Sequence, residues 1–530
     1  TFSGTSAQTA DFLDKSVEDI VISNTSATVS LTGNGVTTDS LTVDSGATFD
    51  LNGENLSYAS ASSTTNNGTI RLQGGETLTN VANLDTDSGT VTYYGDNGGG
   101  GSPFTIKDFG ATDYYNLTFN ATLGTDVFRP ADTLTVANDL TITQGTFDNA
   151  TNDENINVTG NVTMDNTRTD MGDATWTVSG DFDNVHATTF NKNGSTLVMN
   201  GGTELSPSLI VNGNNKTFNN ITISTGAYIS NSNANLIMTG VLTVDGSLAL
   251  VPALYVLYSS SDIKVSSTGI ITGSGGLVVG YGSKITQKDT GSIIDTNIIF
   301  MGSVTILPAQ YESPSVHFYN GTTTNYTWTS SAGTYTFSGN VTFRGSTSTG
   351  TFTVNNSTNN PNFIFKGNVT FTNGTGTLNW TKGTGTITAG GTSTQSLNFL
   401  GKTVEDINIT NTSADVSITN DVVCDSLSVS NGASVVVTST KEITTADISG
   451  LGGDSATGVV TMSASTPSSA FLLTVSGTPV VYFINVTDCD ASGGSEITAY
   501  GSVNGTGNTN WVFAGSLRGM ISEGIIPYVG

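Results

Sequence analysis

Charge, histidine, cysteine and proline are all scarce in this sequence of 530 residues. Charged residues make up 11%, and 16 Lys and Arg face 43 Asp and Glu, for a net charge of −27. So few cations cannot line a stripe that neutralises a phosphate backbone, which argues against a nucleic-acid partner. The two histidines, His186 and His317, leave nothing from which to build a Cys/His metal cluster. The two cysteines, Cys424 and Cys489, allow one disulfide in an oxidising compartment or a pair of buried thiols, and the spacing does not choose between them. No stretch approaches the roughly 18 apolar residues of a membrane span. The longest apolar run, Leu248 to Tyr258, is strand-sized and contains Pro252. Helix signals are nearly absent.

What is present is alternation. Hydrophobic residues make up 36% of the chain, and its polarity comes from Asn, Thr, Ser and 63 glycines rather than from ions. That is not the charge-driven profile of disorder. Thr, Val, Ile, Phe and Tyr recur at every second position while Asn, Asp and Gly punctuate, the pattern of short strands joined by tight turns. The length exceeds the ceiling of about 250–300 residues for one compact core, so the chain must be several domains or a repeat rod.

Self-similarity decides for the repeat. Lys15-Ser16-Val17-Glu18-Asp19-Ile20-Val21-Ile22 returns as Lys402-Thr403-Val404-Glu405-Asp406-Ile407-Asn408-Ile409, at an offset of 405 − 18 = 387. Upstream, Gln8, Phe12 and Leu13 answer to Gln395, Phe399 and Leu400; downstream, Asn24–Ala27 answers to Asn411–Ala414. After a one-residue deletion, Asp39-Ser40-Leu41-Thr42-Val43 corresponds to Asp425-Ser426-Leu427-Ser428-Val429. Weaker copies, such as Lys216–Ile223 and Asp113–Phe119, place related units near 1–88, 89–194, 195–384 and 385–513. Within them a shorter phrase recurs, a polar or small pair followed by apolar-Thr-apolar: Gly160-Asn161-Val162-Thr163-Met164, Gly339-Asn340-Val341-Thr342-Phe343, Gly367-Asn368-Val369-Thr370-Phe371. Such a strand turns its aliphatics to one side and its threonine to the other, and it buries the apolar side only by stacking on an equivalent strand.

Phrases such as Asn220-Ile221-Thr222-Ile223 followed by Gly240-Val241-Leu242-Thr243-Val244, and the closing Asp488–Gly494 to Asn510–Phe513, resemble β-helical surface proteins of bacteria and archaea. The resemblance implies a right-handed parallel β-helix, export, and an envelope or adhesive role. The expected fold is therefore all-β and elongated, a parallel β-helix over 1–513, with tandem β-sandwich modules as the alternative. The opening Thr1–Gly4 falls inside a repeat, so the sequence reads as a mature product after leader removal or as a fragment.

β-Helices also carry polysaccharide-cleaving enzymes, whose signature would be paired carboxylates. Asp153-Glu154, Asp181-Phe182-Asp183 and Asp488-Cys489-Asp490 fit turn chemistry, with weak calcium binding as the functional reading and no cofactor otherwise expected. There is no Gly-x-Ser-x-Gly elbow, and neither histidine stands in a catalytic setting. The tryptophans Trp176, Trp328, Trp380 and Trp511 suit coil-corner packing if buried and sugar stacking if exposed. About twenty Asn-x-Ser/Thr sequons, Asn116, Asn161, Asn340 and Asn368 among them, are candidate glycan acceptors. The tail 514–530 is apolar, and Ile521, Ile525, Ile526, Tyr528 and Val529 read as a terminal cap or as a strand that docks on a neighbouring subunit. These features predict a non-enzymatic, extracellular structural protein that associates with copies of itself. A glycan-binding adhesin or virus fibre is the alternative, and a carbohydrate-active enzyme a more distant one.

Overall fold

The computed structural model describes residues 1–515 apart from 14, 97–102, 214–215, 233, 252–254, 257–261, 280–283, 289–292, 302–309, 321–322, 324, 347–348 and 456. The contact segment predicted at Ile521, Ile525, Ile526, Tyr528 and Val529 lies outside the described residues. No helix occurs among those residues, and the strands form parallel stacked coils of a β-solenoid, about 21 turns in all. The sandwich alternative does not hold, because sandwiches are antiparallel while the strand pairings here are parallel, with antiparallel bridges only at the tight turns Thr203–Ser206 and Thr466–Ser469. The chain divides into two compact units, one comprising Thr1–Leu257, Lys264–Gly275 and Asp289–Ser292, the other Tyr258–Ile263, Gly276–Lys288 and Ile293–Gly530.

In the first unit the strands stack on their counterparts one coil later, in register at the inward positions, with bulges at Phe119/Asn120, Thr163/Asp165 and Ser57/Ser62. Val29 faces Phe49, Phe49 faces Ile70, Ile70 faces Val91, and the column continues through Leu117, Leu140, Val162, Phe182 and Ile210. None of these side chains is more than 2% exposed. Each contributes about 1.5–3 kcal/mol by leaving water, so the column is the stabilising spine that no single coil could supply. A second column runs Ile156, Trp176, Leu197, Ile221, Leu242 on another side of the same coils. Coil length is not constant: Val29 to Phe49 is 49 − 29 = 20 residues, and Phe182 to Ile210 is 210 − 182 = 28. The difference is taken up in the connections, while the strands keep their register.

The second unit stacks in the same way but fills its early coils with rings. Phe318 lies 4.9 Å from Phe300, 4.7 Å from Phe343 and 4.9 Å from Trp328, all nearly parallel. Phe337 and Phe365 stack at 5.6 Å on the next side. Later coils return to aliphatics, with Ile387, Ile407 and Leu427 in one column. Ile20 and Ile22, like Ile407 and Ile409, are all 2% exposed or less, as equivalent inward positions should be.

Candidate functional site

The recurrent polar phrase proves to be a device for joining coils. The side chain that precedes an inward aliphatic turns along the stack, and its oxygen accepts the backbone N–H at the same corner of the next coil. Asp139 Oδ1 accepts from Asn161 N at 2.8 Å, Asn161 Oδ1 from Asp181 N at 2.8 Å, and Asp181 Oδ1 from Leu209 N at 2.8 Å. In the second unit Asn340 Oδ1 accepts from Asn368 N at 2.9 Å and Asn368 Oδ1 from Ser396 N at 2.7 Å. Asn and Asp suit this post because their short side chains reach one strand spacing, about 4.8 Å, with an acceptor at the end. The glycine before them has a steric cause. A Cβ at Gly160 would come within 2.4 Å of Asp139 Oδ1, and one at Gly180 within 2.5 Å of Asn161 Oδ1.

The four candidate glycan acceptors occupy this ladder. Asn161 and Asn340 are exposed, whereas Asn116 and Asn368 are half-buried. Asn116 is engaged at both ends of its amide, donating through Nδ2 to Gly89 O at 2.8 Å and accepting at Oδ1 from Asn138 Nδ2 at 2.8 Å. The sequon pattern was legible in the sequence; its coincidence with the corner ladder was not, because the ladder joins residues 20 to 28 apart.

Five of the six carboxylates in the pairs Asp153 with Glu154, Asp181 with Asp183 and Asp488 with Asp490, all but that of Glu154, accept from backbone N–H groups. Asp153 adopts a left-handed φ of 58° and its Oδ1 accepts from Asp173 N at 2.6 Å. Asp183 Oδ1 accepts from Val185 N at 2.8 Å. Asp488 holds Ser468 N at 2.8 Å and Asp490 holds Ser492 N at 2.9 Å. Among the described residues no group of three or more His, Cys, Asp or Glu side chains is placed to hold a metal ion. His186 is exposed at the end of the strand Phe182–His186, and His317 is half-buried opposite Thr342 with its pKa lowered by burial.

Cys424 and Cys489 are free, buried thiols. Their strands, Val422–Val429 and Cys489–Asp490, belong to one stack but are separated by the strands Glu442–Asp447 and Phe471–Val475. Three strand spacings make about 14 Å, twice the largest Cα separation that a disulfide bridges. Burial raises both thiols, Cys424 to about 11 and Cys489 to about 12. Trp176, Trp328 and Trp380 are buried, at 0%, 1% and 9% exposure, and Trp511 is half-buried. Trp176 Nε1 donates to Met171 O at 3.0 Å and Trp380 Nε1 to Glu405 Oε2 at 2.8 Å.

Several buried acids escaped the reading of the sequence, and two of them each accept three hydrogen bonds. Glu405, 1% exposed, accepts from Asn356 Nδ2 at 2.7 Å, Trp380 Nε1 at 2.8 Å and Gly383 N at 3.0 Å. Glu76, fully buried, accepts from Gln73 N at 2.6 Å, Gly74 N at 2.7 Å and Gly53 N at 3.2 Å. Each is surrounded by donors, the arrangement of a structural plug. No local signal marks Glu405, whose donors lie 22 to 49 positions away, whereas two of the three donors to Glu76 are its own near neighbours Gln73 and Gly74.

Compared with protein-family models, with curated proteins and with solved structures, the chain finds no match.

Proposed function

We propose that this chain is a non-enzymatic structural protein of an extracellular envelope, sheath or filament, and that it associates with copies of itself through its β edges. The observation that carries the reading is the corner ladder. The most frequent polar phrase of the sequence serves to bind one coil to the next, as do the Asp-rich turns Asp153, Asp181 and Asp488. A chain whose polar chemistry is committed to its own stacking is suited to bearing load and keeping its form. The net charge of −27 adds solubility before assembly, and paired parallel strands offer edges on which further strands add.

The test is electron microscopy of the purified chain across a hundredfold range of concentration, with sedimentation alongside. Regular fibres or sheets that grow with concentration support the proposal. A chain that stays dispersed as monomers over the whole range overturns it.

A further inference from the structure

Among the described residues of the first unit a concavity lies on the outside of the sheet. The outward ladder there runs Tyr228, Ser247, Ile270 in one rank and Ser230, Ala249, Thr272 in the next. Leu248 between them points inward and is fully buried, so Ser247 and Ala249 present their short side chains outward. Ser247 and Ala249 at the centre, between Tyr228 on one side and Ile270 and Thr272 on the other, leave a trough. One end is closed by the turn Thr203–Ser206, whose residues exchange backbone bonds, Thr203 N to Ser206 O at 2.9 Å and Ser206 N to Thr203 O at 3.1 Å. Thr203 Oγ1 accepts a third bond from Ser206 N at 3.1 Å. The turn is thus fixed before any ligand arrives, and it brings Glu204 and Pro207 to the rim. The space within this open cleft is about 240 Å³. At the tip of the same turn Leu205 is 98% exposed, the most exposed large apolar side chain among the described residues.

We propose that this cleft is a binding site for a single neutral sugar ring. The volume lies below the roughly 300–1,000 Å³ of sites for larger ligands, which limits the occupant to about one ring. Its walls, Tyr228, Pro207 and Ile270, offer apolar faces to the C–H side of a pyranose, while Glu204, Ser247 and Thr272 offer acceptors and donors to its hydroxyl edge. The lining contains no Lys or Arg, and its one charged group is Glu204, so a phosphate or carboxylate ligand is disfavoured. One carboxylate without a second acid is too little for a divalent cation. Leu205, rigidly displayed beside the cleft, would be covered by the next sugar of a longer glycan.

The site can be tested on the full chain with glucose, galactose and N-acetylglucosamine, each titrated to about 50 mM and followed by ligand-observed saturation-transfer NMR. At least one sugar should show saturable binding, with a Kd on the order of 1 mM. Ala249→Trp, which fills the trough, should abolish the signal while circular dichroism and melting stay unchanged. Glu204→Gln should weaken binding at least about tenfold. Should Ala249→Trp not fold, Thr272→Arg at the rim provides the same block and the same expected loss. Absence of saturable binding by all three sugars, or binding undiminished in the folded blocking variant, overturns the proposal. Neither result depends on whether the chain forms fibres.

Discussion

The coil that starts at Gln8 and the coil that starts at Gln395 hold the same clamp and differ in what lies beneath it. In the first, Asn24 Nδ2 donates to Ser6 O at 2.8 Å and to Gln8 Oε1 at 3.1 Å, while its Oδ1 accepts from Ser26 N and Ala27 N, both at 3.1 Å. In the second, Asn411 Nδ2 donates to Ser393 O at 2.8 Å and Gln395 Oε1 at 3.2 Å, and its Oδ1 accepts from Ser413 N at 3.0 Å and Ala414 N at 3.2 Å. Gln8 Oε1 also receives Gly4 N, as Gln395 Oε1 receives Gly391 N. The environments then part. Gln395 donates from Nε2 to Phe365 O and Gly367 O of the preceding coil, and Glu405 is sealed beneath Asn356 and Trp380. Glu18, at the position of Glu405, is exposed. Identical letters thus set identical local bonds, while the fate of a side chain that points along the stack is set by the neighbouring coil.

The sharpest way to break that comparison is to remove the two glutamates. Glu405→Ala should strand three buried donors and cost about 3–5 kcal/mol, whereas Glu18→Ala should stay within about 0.5 kcal/mol. Because long repeat arrays unfold in parts, native-state hydrogen exchange of the amides around each coil is the measurement. Equal protection in the two variants would mean that the donors around Glu405 find other partners. Truncating the inward aliphatics comes next. Ile407→Ala, between Ile387 and Leu427, should cost about 2–5 kcal/mol, and Ile20→Ala, stacked on Leu41, should fall in the same range. Stability of Ile407→Ala equal to that of the unaltered protein would contradict the inward assignment.

The clamp itself should respond alike in both copies. Asn24→Ala and Asn411→Ala each free two backbone donors and should cost about 1–3 kcal/mol, with amides 26–27 and 413–414 losing protection. A marked difference between them would show that the clamp depends on its surroundings after all. The smallest effect concerns one letter that the copies do not share. Thr38 donates from Oγ1 to Glu18 O at 2.6 Å, and Thr445 occupies the same kind of corner, donating to Asp425 O at 3.0 Å. Cys424 stands where the alignment expects a Thr38. Cys424→Thr should therefore be tolerated within about 0.5 kcal/mol, and a melting curve of the variant checks it.

Much of the architecture was legible because it rests on alternation. Leu41-Thr42-Val43 declares its inward and outward sides in three letters, and the copy at 402–414 establishes that the coil recurs. The roles of Asn161, Gln395 and Glu405 were not legible, because each depends on an atom one coil away, and a strand period carries no information about what meets it across about 4.8 Å. Gly160 and Asn161 could have been read as a coupled pair, since the glycine is needed only when something passes beneath it.

The unequal coils, 20 residues in one place and 28 in another along one continuous inward column, bear on how such a chain changes over generations. Lengthening a connection costs little, about 0.6 kcal/mol for each doubling of a flexible loop, and leaves the ladders on either side intact. Each coil answers mainly to its immediate neighbours, with a few side-chain bonds such as Asn356 to Glu405 reaching one coil further. Genetic exchange between two coils of different length therefore yields a joint that still fits, so that the ancestral register works as a splice site. A stack of this kind can be extended, trimmed or decorated at its corners by recombination, without first inventing a new core.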